Sequence, residues 1–164
     1  MIVSPLSLDR YAFRRIEIIA AEESEGASEA AVNRINATVA SSRHQSEENR
    51  FMLTLEINLL ADPTSLLKPF YTGTLIIEGY FSISEQLPKD RWEELVIANG
   101  TSLLFGAIRE MVVNVTSRGP WPPVMLRTVN FVDTARRLIA KQTTAEISGA
   151  RVSGSREIAT APLL

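Results

Sequence analysis

The sequence predicts an α+β domain, a four-stranded antiparallel sheet followed by two main helices packed on one of its faces. Three observations lead there. Residues 51–60 alternate, with Phe51, Leu53, Leu55, Ile57 and Leu59 facing one way. Residues 71–83 alternate in the same sense, with Leu75, Ile77, Phe81 and Ile83 on the matching face. Ala61-Asp62-Pro63-Thr64-Ser65 between them carries turn chemistry, so the two runs make an antiparallel hairpin. Past Leu103 the apolar period changes from two to about 3.6. Leu104, Ile108, Met111 and Val115 form one stripe with Phe105 and Val112 beside it, a helix built to be buried.

Taken in order, residues 8–20 alternate with Tyr11 and Phe13 on one face and Ile16 and Ile18 on the other. The phase changes across Arg14-Arg15, as in a strand with a bulge. Residues 21–30, with Glu22, Glu23 and Glu25, read as a solvated loop, and Val32 to Val39 as a weak strand. Residues 41–49 form a polar connection holding the one histidine, His44, which has no catalytic partner pattern around it. The hairpin face opposite the core carries Met52, Leu60, Phe70, Ile76 and Tyr80, suited to subunit contact or to a partner surface. Asp90 with Glu93 reads as a capping box for a short helix through Ala98, and Asn99-Gly100 breaks it. On the long helix Leu103 and Val113 point away from the main stripe, which predicts a subunit interface, with Arg109 and Glu110 as an ion pair there.

Ser117-Arg118-Gly119-Pro120 stops that helix. Trp121-Pro122-Pro123-Val124-Met125-Leu126 follows, stiff, poor in free donors and apolar, an unusual composition for a surface connection. Phe131, Ala135, Leu138, Ile139 and Gln142 then form the stripe of a second helix. From Ser148 the period is lost, so residues 1–147 read as one domain and 148–164 as a flexible tail.

The chain has 164 residues, a net charge of -2 and a pI near 5.5, with its basic residues scattered, so a nucleic-acid partner is not expected. No cysteine, Gly-rich phosphate loop, metal-ligand spacing or nucleophile motif occurs, which predicts neither cofactor nor metal and no enzymatic activity. Neither a signal peptide nor an apolar run of ~18 residues is evident, so a cytoplasmic protein without membrane insertion is expected.

Leu104-Phe105, Arg109-Glu110, Ser117-Arg118-Gly119, Trp121-Pro122 and Val129-Asn130-Phe131 stand at the spacing of a known pattern, and Glu78-Gly79-Tyr80-Phe81-Ser82-Ile83 matches a Gly-hydrophobic-Phe-Ser-Ile strand. Through them the chain resembles the SecB family of bacterial export chaperones over about residues 8–143. The resemblance implies a homotetramer, a dimer of dimers, that holds unfolded or nascent polypeptide in apolar grooves without ATP. Together with the residue patterns above, this places the expected client contacts at Trp121, Pro122, Pro123, Val124, Met125, Phe70, Ile76 and Tyr80, and the expected oligomer interface at Leu103, Arg109, Glu110 and Val113. Two departures qualify the expectation. The family's first loop brings aromatics to its groove, whereas residues 22–30 have none, and its acidic contacts for the translocase motor SecA align near Arg15, Ile19 and Thr74. The expected function is therefore a specialised holdase with a restricted client, linked to protein export or to a toxin-antitoxin pair and not relying on SecA. The alternative is an oligomeric assembly protein whose apolar surface serves only self-association.

Overall fold

The computed structural model describes residues 4–22, 34–62, 64 and 68–133, and the backbone of 156–163. Its frame is an antiparallel sheet of β1 (Leu6–Ala20), β2 (Arg34–Arg43), β3 (Arg50–Leu60) and β4 (Tyr71–Ile83), followed by a long helix and a short one, an α+β fold. The β3–β4 hairpin forms because both strands bury the same alternate positions, with Phe51 opposite Phe81, Leu55 opposite Ile77 and Ile57 opposite Leu75. These side chains make the floor of the core. Strand β2 runs to Arg43, four residues past the predicted end, because it pairs with β3 along its whole length despite its polar sequence.

Strand β1 pairs with β4 and is irregular between Phe13 and Arg15, at the predicted bulge. The consequence differs from the expectation. Phe13 stands opposite Ile77 and Ile16 opposite Leu75, both inward positions of β4. The extra residue restores the phase, so the apolar positions on either side of the bulge share one face.

Residues 156–163, placed by the sequence in a flexible tail, form a strand, β5 (Arg156–Leu163), antiparallel to β2, giving the order β1-β4-β3-β2-β5. The physical reason lies in β2, whose outer edge would otherwise present a row of unpaired backbone groups. A short segment with few large side chains gives no periodic signal that would reveal such pairing.

The helical region also departs from expectation. A 3-10 turn at Lys89–Arg91 leads into α1 (Trp92–Leu95), a π-type turn at Val96–Gly100 and then α2 (Thr101–Thr116) without a break. The capping box does not form: Pro88 stands at the N-cap with no side-chain cap bond, and the Trp92 indole fixes the entry by donating to the Leu87 carbonyl at 2.7 Å. Gly100 is a packing residue, not a breaker. A Cβ there would lie 2.6 Å from Leu53 Cδ1 and 3.1 Å from Phe81 Cζ, so its absence lets the helix settle on the sheet. Helix α2 buries Leu104, Phe105, Ile108, Val112 and Thr116, while Met111 and Val115 are half-buried. By length and composition the run Lys89–Thr116 would suffice to cross a membrane, but half of its apolar window is buried in the protein, as in a core helix. The predicted second helix has its first residues at 131–133, and the remainder of its stripe, Ala135 to Gln142, lies outside the described residues.

Candidate functional site: the pinned Trp-Pro-Pro segment and the groove along α2

After α2 the chain turns at residues 117–120 and runs back along the helix in extended form. Three contacts define that path. Val124 N donates to Thr116 Oγ1 at 3.0 Å, Arg109 Nε donates to the Leu126 carbonyl at 3.0 Å, and the Phe131 ring meets Phe105 edge-on with centroids 5.3 Å apart. Arg109, expected in an ion pair with Glu110, thus ties the returning segment to the helix, while Glu110 is exposed. Leu126 and Phe131 are buried beneath this segment and supply its apolar anchorage.

At the turn itself the tethering is dense. The Tyr71 hydroxyl accepts from Trp121 N at 3.1 Å and shares its own proton between the Trp121 carbonyl at 2.9 Å and the Thr116 carbonyl at 3.2 Å. A Cβ at Gly119 would fall 2.3 Å from that hydroxyl, so only glycine lets the turn close over Tyr71. The Trp121 indole stacks on Phe70, with centroids 5.4 Å apart and planes 9° from parallel, and its Nε1 donates to the Ala21 carbonyl at 2.9 Å. Half-buried Trp121 is therefore held on every polar atom it has, while Pro122 and Pro123 stand exposed beside it.

The predicted site residues fall into three places. Trp121 and Phe70 come together in the stack, with Pro122, Pro123 and Val124 next along the chain. Met125, 68% exposed, joins Arg109, Glu110 and Val113 around a groove of about 490 Å³ between the outer side of α2 and the returning segment. Leu103, 49% exposed, lies on the same helix one turn before Gly106, which lines this groove. The structure thus brings client and interface candidates to a common surface. Ile76 and Tyr80 lie elsewhere, on the sheet face turned away from α2; Tyr80 is nine residues along β4 from Tyr71, roughly 30 Å at ~3.4 Å per residue. There Tyr80 lines a separate cavity of about 810 Å³, with the Arg10 guanidinium 4.2 Å over its ring.

Sequence reasoning missed Tyr71, Thr116 and Ala21, the residues that hold the segment. Thr116 stands four residues after Val112 on the buried stripe, where a hydroxyl needs a partner; its Oγ1 donates to the Val112 carbonyl at 2.7 Å. Tyr71 occupies an inward position at the end of β4, and a buried phenol likewise demands partners. No local signal marks the Ala21 carbonyl.

Fold and surface together define an α+β protein whose distinguishing feature is a partly exposed apolar segment pinned by hydrogen bonds. Among the described residues no group of three or more His, Cys, Asp or Glu is placed to hold a metal. The chain belongs to the SecB family: the family described as preprotein translocase subunit SecB matches residues 16–142. It is 34% identical over 91 residues to the protein-export protein SecB of Afipia carboxidovorans, covering 56% of this chain and 53% of that one. With the SecB of Rhodopseudomonas palustris it is 32% identical over 101 residues, covering 62% and 60% of the two chains. The matched part thus spans little more than half the length of these relatives. In fold it is similar to a SecB-like chaperone of Mycobacterium tuberculosis, solved in complex with a ChAD peptide from the HigA1 antitoxin. That likeness has a TM-score of 0.57 at 15% identity, over 76% of this chain and 91% of the other.

Proposed function

We propose that the protein is an ATP-independent holdase that keeps unfolded polypeptide on the apolar surface of the Trp121–Met125 segment. One observation carries this reading: the segment is apolar and partly exposed, yet its backbone is fixed at Trp121, Val124 and Leu126 by Tyr71, Thr116 and Arg109. A surface already rigid loses little ordering entropy when a disordered chain docks, which favours binding. The family assignment supports the chaperone role, and holding needs no catalytic group, so the proposed activity is non-enzymatic and without cofactor.

The client is a restricted one. Arg15, Ile19 and Thr74, where the family carries acidic contacts for SecA, are basic or neutral here, and the fold is shared with a SecB-like protein solved with an antitoxin peptide. In this reading the protein works in the cytoplasm as a homotetramer whose subunits meet through Leu103, Arg109, Glu110 and Val113 on α2. The test is dilution of a chemically denatured client into the purified protein without nucleotide. Suppressed aggregation at stoichiometric amounts is expected. Unaltered aggregation alongside intact oligomers would favour the alternative, an assembly protein whose apolar surface is consumed by self-association.

A further inference from the structure

The two outer strands of the four-stranded frame are built differently. Strand β1 carries Asp9, Arg10, Arg14, Arg15 and Glu17, and its register shifts between Leu8 and Arg10 and again between Phe13 and Arg15. Charges and bulges of this kind keep an edge strand from pairing with another chain. Strand β2 has neither over residues 35–42, which hold no charge and no proline and pair with β3 without a shift. An uncharged, regular edge is a template for a further strand. It is this edge that β5 covers.

The backbone of β5 is matched to it. At the closed end of the β2–β3 hairpin His44 N donates to the Arg50 carbonyl at 2.9 Å. Bonded pairs alternate along an antiparallel ladder, so Ser42, Ala40, Thr38 and Asn36 turn their N–H and C=O toward β3. Ile35, Ala37, Val39 and Ser41 turn theirs outward, and these are the residues opposite Leu163, Ala161, Ile158 and Arg156 of β5. The register shift between Ala37 and Val39 takes up one extra residue of β5 and leaves that matching intact. Pro162, opposite Asn36, and Glu157, opposite Ala40, turn their backbone to the far side. The proline nitrogen, which has no hydrogen, therefore stands on the new outer edge, and the covering strand leaves no full row of donors behind it.

We propose that residues 156–163 are a built-in guard of the β2 edge, lying on it in cis so that a second copy of the chain cannot add a strand there. The guard makes no use of the Trp121–Met125 surface and is independent of client holding.

Proline substitutions along β5 in the full chain test this, because their effect depends on which way each N–H points. Ile158→Pro and Ala161→Pro remove donors aimed at β2 and should loosen the strand, whereas Glu157→Pro removes one aimed outward and serves as the control. Amide hydrogen exchange at Ala37 and Val39 should quicken at least about tenfold in the first two variants and stay within about twofold of the parent in the third. Sedimentation velocity over a concentration series should show species larger than the parent's for Ile158→Pro and Ala161→Pro, and the parent's own size for Glu157→Pro. A synthetic peptide of residues 156–163 added in trans should return the enlarged species to parental size. Exchange at Ala37 and Val39 as fast in the parent as in Ile158→Pro overturns the pairing itself, as does a Glu157→Pro chain that behaves like the other two. Quickened exchange with unchanged or smaller species means a bare edge that recruits nothing, and overturns the guard. Growth that the peptide does not reverse belongs to unfolding of the variant and overturns it equally.

Discussion

The Tyr71 hydroxyl closes a ring with the backbone of Trp121, 3.1 Å from its nitrogen and 2.9 Å from its carbonyl oxygen, across fifty positions of sequence. One phenol at the end of β4 thereby fixes the segment that leaves α2, and Thr116 secures the next step by accepting from Val124 N. The pinned segment is a property of the sheet as much as of the loop.

Removing that hydroxyl should loosen the segment without unmaking the core. Tyr71→Phe strands Trp121 N and two carbonyls, and with the cost of an unmet buried polar group it should lower stability by ~1–3 kcal/mol. Combined with Thr116→Val the losses should be non-additive, since both hold the stretch from Thr116 to Val124. Urea unfolding of the double-mutant cycle decides this; strictly additive losses would mean that the two anchors act independently.

Two substitutions separate holding the segment from using it. Trp121→Ala deletes a half-buried stack and an indole hydrogen bond and should cost ~2–3 kcal/mol, somewhat less than a fully buried tryptophan. Met125→Ser, at an exposed position, should leave stability within about 0.5 kcal/mol while weakening client binding several-fold. Melting temperature and aggregation suppression are the paired readouts. A Met125→Ser protein as active as the parent would remove Met125 from the site.

Gly100 and Gly106 should respond in opposite ways. Alanine at 100 drives its Cβ into Leu53 and Phe81 and should destabilise by ~1–3 kcal/mol through overpacking. At Gly106 an added Cβ meets nothing within 4 Å, so alanine should stabilise by up to ~1 kcal/mol through helix propensity. Denaturant midpoints that move together would contradict the helix–sheet geometry.

If α2 is the subunit interface, Leu103→Glu should convert the assembly to smaller species, because a charge buried without a partner at an interface costs several kcal/mol. The same change on an isolated subunit, where Leu103 is exposed, should be nearly neutral. Sedimentation velocity at micromolar protein tests it, and an unshifted tetramer would place the interface elsewhere.

On the acid side one exposed pair has a defined sign. The hydrogen bond from Lys89, and then its charge, hold the Glu48 carboxyl below its ordinary value. A depressed folded pKa adds stability that is present above the unfolded value and lost as pH falls through the folded one. Lys89→Met should therefore flatten the fall in stability between roughly pH 5 and pH 3, slightly, since both groups are solvent-exposed. A steeper fall in the variant would reverse the assignment.

What the sequence determined by itself is whatever repeats locally. The alternation of Phe51 to Leu59 and of Leu75 to Ile83 gave the hairpin and its buried face, the 3.6-residue period of Leu104, Ile108 and Val112 gave α2, and the phase change at Arg14-Arg15 gave the bulge. Burial of a periodic face is decided by side chains a few residues apart, and so it is written in short windows. Tertiary structure decided everything that depends on partners far along the chain. Gly100 looks like a helix breaker until Leu53 and Phe81 lie beneath it, Arg109 looks like half of an ion pair until the Leu126 carbonyl returns to it, and residues 156–163 look featureless until β2 offers them an edge. The Trp-Pro-Pro segment lies between these cases: its composition announced a rigid apolar surface, but only the approach of Tyr71, Phe70 and Ala21 determined where that surface is held, because hydrogen bonds and ring stacking across fifty or more residues leave no period in the sequence.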